Sequence, residues 1–338
     1  MAGNKKAEFT IVASFDKLDK IIFIGNYLRY AMRIPLALVF NRSKYHRYLK
    51  KFKTLNEFKH NIYGHKALNF SLLRGFKKLN IPFLYNRVTK NTKYVILLWV
   101  DKKDLKKVQR IKQKHPNIKI ATVPTACKYD YDLTWKFSEM DYIDFCCVAS
   151  PWVKKSIENK VDKKYRNKFQ SWPSGVSVPD SISDKTIHNA VLCYYKLVPE
   201  DKSITRYFQN MGIKTFILEY GKYDFDKYMD VLSKVDFVVF VQNIIETQGL
   251  SIAEAWAQNR PTIIKYNIND FGGETCPYLT NKTGLYYKNN KELFLIIDKY
   301  QNNPREFLKQ FSPYKSVSKE FSDESSVKKL IKILQEKD

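Results

Sequence analysis

The chain has 338 residues, 44% of them hydrophobic and 15% aromatic, with modest Gly and Pro. That composition excludes a collagen-like, coiled-coil or disordered chain, and the length predicts two domains of roughly 150 residues each. A net charge of +25 is concentrated at the front: residues 1–120 hold 28 Lys and Arg against 6 Asp and Glu, whereas residues 181–338 hold 22 against 20. A compositional bias toward lysine would act on both halves. The contrast therefore predicts that one face of the first half meets something anionic.

Taken in chain order, the opening MAGNKKAEFTIVASFDKLDK holds no apolar run of signal-peptide length. The densest apolar stretch, YVILLWV (94–100), is far below the ~18 residues of a membrane span. The expectation is a cytoplasmic protein whose contact with a membrane, if any, is peripheral. RSKYHRYLKKFKTLNEFK (42–59) sets Tyr45, Tyr48, Leu49, Phe52 and Leu55 at helical spacing opposite a face of cations. That pattern suits a helix on an anionic membrane, an ordinary surface helix, or a contact to a polynucleotide. The five cysteines (127, 146, 147, 193, 276) form no C-x-x-C pattern and read as buried free thiols.

Short β-branched or aromatic runs recur at 10–15, 94–100, 118–123, 145–150, 190–196, 215–220, 236–241 and 261–266. Their near-continuous hydrophobicity predicts strands buried on both faces. Helical patterns at 101–116, 224–235 and 251–258 lie between them, so the chain predicts parallel α/β sheets. QSWPSGVSVPDSISDKT (170–186), rich in Pro, Ser and Gly, marks a boundary. The predicted division is a basic domain over 1–175, a second domain over 176–310, and a C-terminal segment, 311–338, packing back toward the first. Its last helix should be capped by Ser325 or Ser326 and carry a stripe of Val327, Leu330, Ile331 and Leu334. The fold class is thus α/β, with two Rossmann-like doubly wound domains facing across a cleft where ligands meet the carboxyl ends of strands.

The chemistry concentrates in ETQGLSIAEAWAQNRPTII (246–264). A strand ends before it, a loop follows, and a helix opens near Gly249 and Leu250. First-turn N–H groups there lack internal partners and suit a diphosphate, and Gly249 lets the backbone approach it. Glu246, beside the helix mouth, is placed to accept hydrogen bonds from sugar hydroxyls. Glu254, about one turn in, is placed for the two hydroxyls of a ribose. Those are the parts of a nucleotide sugar, in order.

E-x-x-G-L-x-x-x-E-A-x-A-x-x-x-P-T resembles the donor motif of retaining glycosyltransferases of the GT-B fold, family 4-like, with phrases similar to a viral and microbial sub-branch. WPSGVSVP (172–179) resembles the P-N-G-V turn after the first domain, with Ser174 for Asn. AVLCYYKLVPEDKS (190–203) resembles the segment G-R-L-x-x-E-K-G, and YGKYDFDKYMDVLSKVDFVVFV (220–241) the Gly loop that meets the base. The likeness covers 118–266 well and 1–117 poorly.

It implies Glu246 as the catalytic carboxylate, with Lys196, Lys202, Gly221, Tyr223, Gly249, Leu250 and Glu254 on the donor. Lys196 replaces an Arg, and the family's second cation falls at Asp201, with Lys202 one place late. On the acceptor side the family's His is missing from ATVPTACKYD; Thr125 and Lys128 stand near its place. The implied donor is a UDP- or GDP-sugar, with no obligatory metal; DYD (130–132) and DFD (224–226) do not read as metal sites. The implied reaction moves a sugar, with retention, to a glycan or lipid-linked acceptor near an anionic surface. Two alternatives are a DNA glycosyltransferase acting on hydroxylated bases and a non-catalytic nucleic-acid or glycan binder.

Overall fold

The computed structural model describes residues 7–13, 65–98, 102–123, 137–182 and 187–336. The segment 42–59 and the acceptor-side candidates Thr125 and Lys128 lie outside the described residues.

In the first half, β1 (Phe9–Ala13), β2 (Phe83–Tyr85), β3 (Tyr94–Leu98), β4 (Lys119–Thr122), β5 (Phe145–Val148) and β6 (Phe169–Ser171) form a parallel sheet in the order β2-β1-β3-β4-β5-β6. Helices α1 (His65–Lys78), α2 (Lys102–Lys114) and α3 (Pro151–Glu158) connect or flank these strands. In the second half, β7 (Ala190–Lys196), β8 (Lys214–Glu219), β9 (Phe237–Gln242), β10 (Thr262–Lys265) and β11 (Gly284–Tyr287) form a parallel sheet in the order β11-β10-β9-β7-β8. Its helices are α4 (Lys202–Asn210), α5 (Phe225–Leu232), α6 (Leu250–Ala257), α7 (Asn290–Asn302), α8 (Pro304–Lys309) and α9 (Pro313–Glu320), and α10 (Asp323–Gln335) ends the described chain.

The central strands of each sheet are buried on both faces, which is why they read as unbroken apolar runs, whereas the edge strand β8 is only partly covered. In β3 every residue is buried: Tyr94, Ile96 and Leu98 pack with α1 and α10, while Val95 and Leu97 pack with α2 and α3. In the second sheet Leu192, Tyr194, Val238 and Phe240 face α5 and α6, and Val191, Cys193, Val239 and Val241 face α4 and α7. The strands β2, β6 and β11 were not anticipated from the sequence. All three are edge strands of three or four residues, too short and too unevenly buried to show a period. Cys146, Cys147, Cys193 and Cys276 are buried and form no disulfide with one another.

The two sheets are joined twice. The forward connection leaves β6, and the return enters α10, whose Val327, Leu330 and Leu334 complete the first domain's core. The two crossings are stitched together. Trp172 Nε1 donates to Ser326 O at 2.8 Å, Ser326 Oγ to Pro173 O at 2.9 Å, and Val176 N to Phe321 O at 2.8 Å. Arg74 of α1 forks onto the fully buried Asp323, with Nε to Oδ2 at 2.6 Å and Nη2 to Oδ1 at 3.0 Å.

The cap of α10 is Ser322 rather than Ser325 or Ser326: Ser322 Oγ accepts from Ser325 N at 3.1 Å. Starting three residues earlier places Asp323 and Glu324 in the first turn, where the helix dipole and the Arg74 fork favour carboxylates.

Gly175 lies at this junction, and a Cβ on it would stand 2.7 Å from both Asp323 Cα and Ser71 Oγ. Gly175→Ala is expected to destabilise the protein by about 1–3 kcal/mol in chemical unfolding, the usual penalty of overpacking. An unchanged midpoint would show that the junction yields freely.

Candidate functional site

Adjacent positions on β7 and β9 bring Lys196 and Gln242 to the carboxyl end of the second sheet as Cα partners. From there Lys196 Nζ reaches Glu246 Oε1 at 2.6 Å, in the loop that follows β9. Both side chains are nearly enclosed, 15% and 10% exposed. The Tyr220 ring lies 4.9 Å from the Lys196 ammonium, and Tyr220 is itself largely exposed. Leu197, next along, is 69% exposed and holds φ +56, a left-handed conformation that strains a branched side chain at the rim of the site.

The Glu246 loop is fixed from three sides. Its N–H donates to Thr275 O at 3.0 Å, and its carbonyl accepts from the Trp152 indole of α3 at 3.1 Å. Two residues on, Gln248 exchanges two hydrogen bonds with the Ser174 peptide: Ser174 N to Oε1 at 2.9 Å, and Nε2 to Ser174 O at 2.6 Å. Thus the residue in the Asn place of the P-N-G-V turn is read through its backbone.

Gly249 caps α6 at φ +81, a conformation natural to glycine, and no side chain caps the helix. A Cβ there would stand 3.0 Å from Ile252 Cδ1 and 3.6 Å from Glu246 Cγ. The first-turn amides therefore open beside the Lys196–Glu246 pair. Lysine, helix terminus and carboxylate together can bind a diphosphate and the polar groups beyond it.

Tyr223, on the turn opened by Gly221 at φ +82, donates to Tyr194 OH at 2.5 Å, and Tyr228 donates to Ser251 O at 2.7 Å. The three rings stack edge-on or tilted at 5.7–5.8 Å. This tyrosine cluster ties the Gly221 turn to the first turn of α6. Burial pushes all three phenols well above their ordinary range, so they stay neutral.

Glu254 faces a cavity of about 260 Å³ between α1, the 175–179 connection, α5 and α6; Arg74, Ser177, Phe225, Leu250 and Gln258 also line it. Desolvation pushes the pKa of the Glu254 carboxyl from 4.5 up to about 8, against the opposing pull of the Arg74 guanidinium.

The sequence-derived donor residues separate into groups. Lys196, Glu246 and Gly249 meet at one point; Gly221 and Tyr223 join through the tyrosines; Leu250 and Glu254 share the cavity. Lys202 stands apart as the exposed first residue of α4. Asp201, at the position of the family's second cation, caps that helix, accepting from Ser203 N at 2.9 Å and Asn290 Nδ2 at 3.0 Å. Arg74, Trp152, Gln248 and the Tyr194–Tyr228 pair were not foreseen, because they reach the site through tertiary contacts that leave no local pattern. Among the described residues no cluster of His, Cys, Asp and Glu is arranged to hold a metal. No described helix is long and apolar enough to cross a membrane.

No family model matches the chain, and no curated protein matches it. Solved structures do. A glycosyltransferase from Rickettsia africae ESF-5 superimposes over 98% of this chain and 98% of its own, with a TM-score of 0.51 at 14% identity. Anabaena Alr3699/HepE, in complex with UDP, does so over 97% of this chain and 100% of its own, with a TM-score of 0.52 at 10% identity. The fold is GT-B. S. aureus TarM matches 79% of this chain at 15% identity and a TM-score of 0.49, but this chain spans only 59% of TarM's length. In this GT-B molecule the domains touch at the candidate site itself. Besides Trp152 on Glu246, Tyr278 OH donates to Ala149 O at 2.6 Å, and Gly273 leaves room for the Trp152 ring.

Because the folded protein holds the Glu254 proton up to about pH 8, and the unfolded chain releases it near 4.5, stability is lost as pH rises through that window. Glu254→Gln is expected to match the wild-type Tm at about pH 4 and to exceed it by a few degrees above about pH 8. A Tm difference that does not vary with pH would contradict the burial assigned to this carboxyl.

Proposed function

We propose that the protein transfers a sugar from a nucleotide donor, a UDP- or GDP-sugar, to an acceptor hydroxyl with retention of configuration. The observation that carries this reading is the Lys196–Glu246 pair at the uncapped, glycine-opened mouth of α6. It places a cation, free helix amides and a carboxylate within one ligand's length at the carboxyl end of a doubly wound sheet. The UDP bound to HepE, whose fold this chain shares, is consistent with a nucleotide at this sheet.

In the proposed reaction the donor diphosphate sits across Lys196 and the amides of Leu250 and its neighbours. The charge that builds on the departing diphosphate is met there by the ammonium and the helix terminus. Glu246 accepts hydrogen bonds from the transferring sugar and aims its anomeric carbon into the cleft. Gly221 and Tyr223 border the base, and Glu254 takes the ribose hydroxyls. The acceptor hydroxyl enters from the first domain, on the side where Trp152 meets the Glu246 loop, and is held there when the domains close. Lys202, at the tip of α4, adds long-range attraction for the phosphates.

The acceptor side is strongly basic. On the sheet face covered by α2 and α3, Lys106, Arg110 and Lys114 are exposed together with Lys163 and Lys164 of the following 3₁₀ turn. This favours an anionic acceptor or surface, a glycan or lipid-linked saccharide at an anionic membrane. Salt-sensitive binding to duplex DNA, and not to anionic vesicles, would instead mark a DNA glycosyltransferase.

A panel of UDP- and GDP-sugars incubated without acceptor, with released nucleotide measured, is expected to show slow hydrolysis of at least one donor. Glu246→Ala should lower that turnover by about 100-fold or more, in the range typical for loss of an orienting transition-state contact. Lys196→Ala should weaken nucleoside-diphosphate affinity about tenfold or more. A wild-type protein that binds donors without turning any over would leave a non-catalytic binder; Glu246→Ala with intact turnover would remove the role given to that carboxylate.

A further inference from the structure

Gln242 is the last residue of β9 and the Cα partner of Lys196. Strand alternation puts its side chain on the sheet face shared by Tyr194 and Phe240, the face that α6 covers and from which Lys196 reaches Glu246. The side chain is completely buried, and neither its amide nitrogen nor its amide oxygen has a hydrogen-bond partner. Its main-chain carbonyl accepts from Asn267 Nδ2 at 3.2 Å. A buried amide left unmet at both ends is unfavourable, and an apolar residue of the same shape would serve packing better. The rest of the strand, Phe237 to Val241, is apolar.

The position explains the amide. When a diphosphate takes Lys196, the Glu246 carboxylate loses its cation while remaining almost enclosed. Tyr194 from β7 and Cys276 from the loop after β10 sense its charge, with Glu254 acting in turn on Tyr194 and Glu274 on Cys276, and the Trp152 indole is already bound to the Glu246 carbonyl. None of them is a cation. Burial keeps Tyr194 neutral and pushes the Cys276 thiol up to about 12. The Gln242 amide, unmet and set beside Lys196 on the same sheet face, is placed to supply an N–H in the lysine's stead.

We infer that Gln242 is a positioning residue: its amide N–H replaces Lys196 on Glu246 when a nucleoside diphosphate binds, and it holds that carboxylate toward the sugar. Lys196 is held on Glu246 until a donor binds, and donor binding hands the carboxylate from lysine to amide. This rests on the donor site proposed above.

The test compares wild type with Gln242→Met, which keeps shape and removes the amide. Binding of UDP, GDP and ADP is measured by calorimetry at about pH 6, in buffers of different ionisation enthalpy, so that protons taken up on binding are counted. Gln242→Met is expected to fold with a Tm equal to or above wild type, since it removes an unmet buried amide. It should bind the preferred nucleoside diphosphate about tenfold or more weakly, in line with loss of a hydrogen bond to a charged group. It should also take up more protons than wild type, because a bared carboxylate protonates. Packing alone would not move the proton count. Equal affinity and equal proton uptake in the two proteins would overturn the inference while leaving the donor site standing. A wild-type protein that binds none of the three nucleotides would overturn both.

Discussion

The ion pair between Lys196 and Glu246 is the contact around which the second domain and its junction with the first are organised. Two nearly enclosed charges at 2.6 Å stabilise each other, and deleting either partner strands the other, an effect of about 3–5 kcal/mol for enclosed pairs. Such a pair is also a poised binding site. The lysine is held at the sheet end with its charge already desolvated, and an incoming diphosphate competes for it with more negative charge than one carboxylate carries. The pair is fixed by the β7–β9 register and by hydrogen bonds that each end on main chain: the Thr275 carbonyl, the Trp152 indole on the Glu246 carbonyl and the Gln248 clamp on Ser174.

Those same contacts make the site an interdomain object. Trp152 belongs to the first domain, Glu246 to the second, and Ser174 to the connection between them. Arg74 reaches from α1 to clasp Asp323 at the return crossing and lines the cavity that holds Glu254. A change in the angle between the domains would therefore be felt at the Glu246 loop, at the connection and in the cavity together. Glu254 shows what this arrangement costs: a carboxyl kept in a recess at the expense of its own ionisation, as expected where a polar group is retained for a ligand rather than for stability.

The central strands of both sheets were legible in the sequence because strands buried on both faces must be continuously apolar, as YVILL and FVVFV are. The glycine-opened helix after β9 was legible for a related reason: a left-handed cap beside an acidic loop and an apolar helix leaves a local signature. Edge strands such as FLY and GLYY were hidden by brevity and half-burial. The contacts that finish the site, from Gln248 to Ser174, Trp152 to Glu246 and Arg74 to Asp323, join residues 74 to 249 positions apart, and no window of sequence contains them. Asp201 shows the converse. The family resemblance puts a phosphate-binding cation at its position, yet its side chain does the ordinary work of an N-cap.

The central claim is that this ion pair opens to receive the diphosphate of an activated sugar. A crystal structure with a bound nucleoside diphosphate tests it most directly. Phosphate oxygens are expected on the Leu250 amide and on Lys196 Nζ, with the ammonium withdrawn from Glu246. Nucleotide bound elsewhere, with the lysine still paired to its carboxylate, would contradict it.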